Sequence, residues 1–145
     1  MNQIAQHLFQ VKERIAQAAE RASRNLQQIR LLAVSKTKPV EAIMAAHAAG
    51  QRCFGESYAQ EAAAKIDTLR QQPEYSDIEW HFIGPLQSNK SKLVAERFDW
   101  VQSVDRDKLI DRLNNQRPAS MAPLNVCLQI NISGESSKSG TSEQE

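Results

Sequence analysis

The feature that most constrains this chain is an alternation of two periodicities. Five short stretches read as strands: Leu31–Val34, Arg52–Phe54, Ile78–Ile83, Trp100–Val104 and Leu124–Ile132. They are continuous apolar runs or alternate at a step of two, as strand faces require. Between them the apolar residues recur at steps of three and four, the period of a helix face. Consecutive parallel strands need a long crossover, usually a helix, and such crossovers are right-handed. Strand-helix alternation therefore predicts an α/β fold on a parallel sheet. At 145 residues the chain has room for one such domain and not for two.

A helix over residues 3–22 precedes the first strand, with Ile4, Leu8, Val11, Ile15, Ala18 and Ala22 on one face. The repeat is too short for a sustained coiled coil and fits a helix laid on its own domain. Ser23–Gln28 is polar and reads as a loop. Pro39 opens the next helix, whose face is Val40, Ile43, Met44 and His47, and Gly50 closes it. His47 reads as a surface histidine near that helix's C-terminus. Ser57-Tyr58-Ala59-Gln60 has the spacing of a capping box and predicts a third helix starting at Ser57, apolar at Ala59, Ala62, Ala63, Ile66 and Leu69. A short helix over Ser88–Arg97 turns Leu93 and Val94 inward, and Asp105 caps a last helix lined by Leu109, Ile110 and Leu113. Ser133–Glu145 contains no apolar residue and reads as loop or disorder. The expected division is a domain over residues 1–132 and a polar tail over 133–145.

Eighteen basic residues against seventeen acidic ones leave a net charge of +1, and no basic cluster is interleaved with aromatics. Binding to nucleic acid is not expected. No apolar run approaches the roughly 18 residues of a membrane span. Met1-Asn2-Gln3-Ile4 lacks the basic and apolar regions of a secretory signal. Cys53 and Cys127 match no metal spacing, and their strand-like settings predict buried free thiols. These features together predict a cytoplasmic protein. No GxGxxG follows the first strand, which argues against a dinucleotide-binding unit. A barrel fits better, although five strands are fewer than the eight of a closed (β/α)8 barrel.

The chemistry concentrates at one strand end. Leu31-Leu32-Ala33-Val34 runs into Ser35-Lys36-Thr37-Lys38-Pro39, so Lys36 stands where α/β folds build their sites. A half-buried lysine there loses hydration, which favours the neutral amine, and such an amine forms a Schiff base with an aldehyde. The same residues also fit a solvated lysine in a βα loop.

Four motifs in order carry a family resemblance. Ala33-Val34-Ser35-Lys36-Thr37-Lys38-Pro39 resembles the cofactor-lysine strand of the pyridoxal phosphate homeostasis proteins, the YggS/PROSC-like group. Phe54-Gly55-Glu56-Ser57-Tyr58 is similar to that group's second-strand motif, with Ser57 where the group usually has Asn. His81-Phe82-Ile83-Gly84-Pro85-Leu86-Gln87-Ser88-Asn89-Lys90 is similar to its third-strand signature. Gln129-Ile130-Asn131-Ile132, followed by Lys138-Ser139-Gly140, is similar to its fifth strand and exit loop.

The resemblance implies a partial (β/α)8 TIM barrel like the N-terminal domain of alanine racemase, with about five of eight strands present. It implies pyridoxal 5'-phosphate (PLP) held as a Schiff base on Lys36, with Ser57, His81 and Asn131 near the cofactor, no metal, and no catalytic residue. The implied role is PLP homeostasis, with small amino or keto acids as further partners and no assigned turnover. The group's phosphate-binding stretch follows the fifth strand and is missing here, so the expectation is a truncated chain with an incomplete cofactor site. Its open strand edges predict self-association. Two other readings fit the same residues. One is an alanine racemase-like PLP enzyme, which needs a further acid-base group. The other is an interaction module in which Lys36 is inert.

Overall fold

The computed structural model describes residues 2–144. Asn2 caps the first helix, α1 (Gln3–Arg21), by accepting the Ile4 N–H at 3.0 Å. The other elements follow as β1 (Ala33–Val34), α2 (Val40–Ala48), β2 (Cys53–Glu56), α3 (Ala59–Arg70), β3 (Glu79–Phe82), α4 (Ser91–Ala95), β4 (Trp100–Val104), α5 (Asp107–Gln116) and β5 (Asn125–Leu128). The five strands form one parallel sheet in the order β1-β2-β3-β4-β5. A doubly wound sheet reverses its strand order partway, whereas this sheet steps one way only, as an arc of a barrel does.

The sheet has two unlike faces. Ala33, Phe54, Trp80, Phe82 and Val101 point outward and pack under the helices with Ile43, Ile66, Leu69, Val94, Phe98 and Leu109. Phe82 and Phe98 meet edge to face at 5.4 Å. Each large apolar side chain buried in this layer contributes about 1.5–3 kcal/mol. The inner face has no opposing wall among the described residues. Val34, whose place in a continuous apolar run suits a strand buried on both faces, is therefore 52% exposed.

β5 is uncovered on its outer face too. Val126 and Leu128 look toward α5, but among the described residues no helix covers them, and both are exposed together with Ile130 and Ile132. The regular strand is Asn125–Leu128 rather than Leu124–Ile132, with Ile130 making an isolated bridge to Thr141. Both cysteines are free thiols as expected, but neither is buried, because both lie on the open inner face: Cys127 is exposed and Cys53 half-buried.

Two helix starts also differ from the sequence reading. α3 begins at Ala59 with no side-chain cap, so Ser57 and Gln60 form no capping box. The Ser57 backbone instead packs on Gly84, where an added Cβ would lie 2.5 Å from the Ser57 carbonyl oxygen. Asp105 does not cap α5 but pairs with Arg106 at 2.7 Å. The tail is a hydrogen-bonded loop: Asn131 N–H donates to Thr141, and Thr141 N–H donates to Gln129.

Candidate functional site

β1 stops at Val34 because the chain turns. Ser35 N–H donates to the Gly55 carbonyl at 2.9 Å, and Lys38 N–H donates to the Ser35 carbonyl at 3.0 Å. Between them Thr37 takes a φ of +63°, uncommon for a β-branched residue and held only where neighbours fix it. Glu61 supplies the fixing bond, accepting the Thr37 N–H at 2.7 Å.

Beneath this turn lies a buried polar bracket. Lys65 Nζ donates to the Ser35 carbonyl at 3.0 Å, to Glu56 Oε1 at 2.9 Å and to Glu61 Oε1 at 2.5 Å. Ser35 Oγ adds a bond to Glu56 Oε1 at 2.7 Å. Glu56 is fully buried, and its second oxygen has no protein partner. The Lys65 bond holds the Glu61 carboxyl below its ordinary range; burial opposes this and the Thr37 N–H adds to it. Lys36, at the crown of the bracketed turn, is exposed and its amine has no hydrogen-bond or ion-pair partner among the described residues. The expected half-burial is absent because the sheet's inner face is open.

The other three expected residues are placed differently. Ser57 follows β2, two residues beyond Gly55, which pairs with Val34. It is half-buried and lines a cleft with Tyr58, Glu61, Pro85 and Lys90. His81 lies inside β3, one residue before its end. Its Nε2 meets Glu79 Oε1 at 2.7 Å, its Nδ1 meets Gln102 Nε2 at 3.0 Å, and its ring stacks on Trp100 at 5.5 Å. Asn131 organises its own loop: its amide donates to the Glu135 and Lys138 carbonyls, and its oxygen accepts the Gly134 N–H at 3.1 Å. Among the described residues none of the four hydrogen-bonds to another.

A second polar group occupies the inner face at the opposite, N-terminal end of the strands. Cys53 and Glu79 are the first residues of β2 and β3 and are direct register partners. Arg30 reaches over both, donating to Cys53 Sγ at 2.8 Å and pairing closely with Glu79. Burial pushes the Glu79 carboxyl up, but the bonds from His81 and Arg30 outweigh it and leave the net shift downward. Sequence spacing showed no metal site, yet the sheet brings Cys53, Glu79 and His81 together.

Glu56, Glu61 and Lys65 were not among the expected site residues. Glu61 and Lys65 are four apart in α3, the spacing of a helical ion pair, and that was the one available signal.

The profile of the "Alanine racemase, N-terminal domain" family matches residues 7–145. The pyridoxal phosphate homeostasis protein of Escherichia coli (strain K12) is 58% identical over 140 residues, which cover 97% of this chain and 59% of that protein. The protein of the same name from Pseudomonas aeruginosa is 53% identical over 145 residues, covering 100% of this chain and 61% of that protein. Among solved structures, PipY of Synechococcus elongatus PCC7942 with PLP bound has a TM-score of 0.74 at 38% identity, covering 96% of this chain and 58% of that one. A Bifidobacterium adolescentis protein described as unknown has a TM-score of 0.84 at 38% identity, covering 95% of this chain and 58% of that one. The chain thus spans about 60% of the length of the relatives it matches.

Proposed function

We propose, since this chain belongs to the alanine racemase N-terminal domain family, that it binds PLP through Lys36 as a Schiff base and serves PLP homeostasis. The observation that carries this reading is the placement of Lys36: a free amine on a turn that Glu56, Glu61 and Lys65 hold rigid at the C-terminal end of β1. The similarity to proteins named for PLP homeostasis, and to PipY with PLP bound, supports it.

The residues present fit the aldehyde and ring side of the cofactor. The amine is unpaired, and Gly55, bare of a Cβ, lets Leu32 and Ile83 close over it as an apolar floor. They do not provide a phosphate cradle of the usual barrel kind, which is built from loops after the seventh and eighth strands; the described residues form five. Bound PLP supplies an electrophilic carbonyl for amines; the chain's own residues hold and orient the lysine. Ser57 is the second residue at that end. His81 and Asn131 support the inner face and the exit loop, since their polar atoms are already engaged.

The reading extends to exchange with small amino or keto acids, to a cytoplasmic setting, and to self-association through the uncovered β5 face. No helix of the described residues is long and apolar enough to cross a membrane. The test is incubation with PLP, borohydride reduction and peptide mapping. A single reduced adduct at Lys36, lost in Lys36→Ala, is the expected result. Label spread evenly over the surface lysines would refute the assignment and favour an interaction module.

A further inference from the structure

We propose that Cys53, Glu79 and His81 form a binding site for a divalent transition-metal ion, with Zn2+ the best match to the donor set. The site lies at the N-terminal end of β2 and β3 and does not depend on the reading of Lys36. The three side chains share the inner face, and one ligand atom from each falls within 4.8 Å of the others. Glu79 Oε1 lies 2.7 Å from His81 Nε2 and 3.9 Å from Cys53 Sγ. Bonds of about 2.0–2.3 Å to nitrogen, oxygen and sulfur let one ion sit among these atoms after small rotamer adjustments. Thiolate and imidazole favour zinc over calcium or magnesium, and three protein ligands leave a fourth position for water.

Two neighbours fit the assignment. The first is Arg30, whose guanidinium already lies against both Cys53 Sγ and Glu79, so the pair attracts a cation in this structure. Its side chain is 57% exposed and has room to swing into solvent. The second is Gln102, which meets His81 Nδ1 at 3.0 Å. With Nε2 on a metal the ring proton must sit on Nδ1, and Gln102 accepts it by turning its amide oxygen inward, as outer partners of ligating histidines commonly do. Binding then exchanges waters of the hydrated ion for sulfur, nitrogen and oxygen, releases the Cys53 thiol proton to solvent, and displaces Arg30.

The test uses the metal-stripped chain with Zn2+ against a chromogenic chelator, and with Co2+ followed by absorbance. The expected result is one saturable ion per chain. Co2+ gives a thiolate-to-metal charge-transfer band that Cys53→Ser abolishes and Cys127→Ser leaves intact. Glu79→Gln and His81→Gln each weaken Zn2+ binding by about tenfold or more, on the scale of lost ligand support. Arg30→Gln removes the competing cation and tightens binding, an outcome that a variant merely losing its fold cannot produce. A band that survives Cys53→Ser, binding unchanged in Glu79→Gln and His81→Gln, or weaker binding in Arg30→Gln would overturn the proposal.

Discussion

Lys65 shows how much one side chain can organise. It is almost wholly buried and donates three bonds, to the Ser35 carbonyl and to two carboxylates. Removing it strands Glu56 as a buried group without its cation, and breaking a buried pair from one side costs about 3–5 kcal/mol. Lys65→Ala is therefore expected to lower the urea midpoint sharply. The double variant Glu56→Gln/Lys65→Met should recover most of the loss, because no uncompensated buried charge is left behind; Glu61, the other carboxylate, is 35% exposed and keeps its contact with water. Recovery absent in the double variant would mean that packing, not charge, sets the cost. The same substitution loosens the Lys36 turn, so Lys65→Ala should also slow adduct formation at Lys36.

Among elements, the turn from β1 to α2 and the exit of β3 depend on neighbours outside their own segments. Glu61, on α3, holds the Thr37 amide, and its folded-state proton affinity is reduced chiefly by Lys65. A carboxyl with a lowered folded value adds stability above its unfolded value, about 4.3, and loses it as pH falls through the lowered folded value. Hydrogen exchange at the Thr37 amide is thus expected to lose its protection across that acid window. Glu61→Gln should leave it weakly protected at neutral pH and nearly flat on acidification. At the β3 exit, Gly84→Ala would drive a methyl into the Ser57 backbone, which is less able to move than a side-chain tip. Overpacking of this kind costs about 1–3 kcal/mol, read as a drop in Tm.

At the scale of the whole molecule, the arc has a covered outer layer from β1 to β4 and a bare flank at β5. Leu128 is 63% exposed and Ile132 79%, in line with Val126 and Ile130. A contiguous apolar strand face beside an open edge favours association with another chain. Light scattering after size exclusion is expected to show mass rising with concentration. Leu128→Lys/Ile132→Lys should shift the protein toward monomer without altering its far-ultraviolet circular dichroism. A wild-type chain that stays monomeric across the range would refute this.

Local pattern carried much of the architecture. The helix and strand periods depend on residues two to four apart, so α1, β4 and the order of alternation were legible from the sequence, as was the position of Lys36 at a strand end. Helix starts were less legible, because Ser57 and Asp105 have the right chemistry for caps but are claimed by Gly84 and Arg106. Burial was misjudged wherever it depends on what lies across the sheet, as at Val34, Lys36 and Cys127. Of the two polar clusters, only the spacing of Glu61 and Lys65 along α3 was visible in the sequence. Glu56 meets Lys65, and Cys53 meets Glu79 and His81, only because neighbouring parallel strands align in one register with helices behind them. Sequence decided which elements form, since that is a short-range property of the chain. Tertiary structure decided which charges are buried, which thiol gains partners and which amine is left free, since those follow from contacts between residues far apart along it.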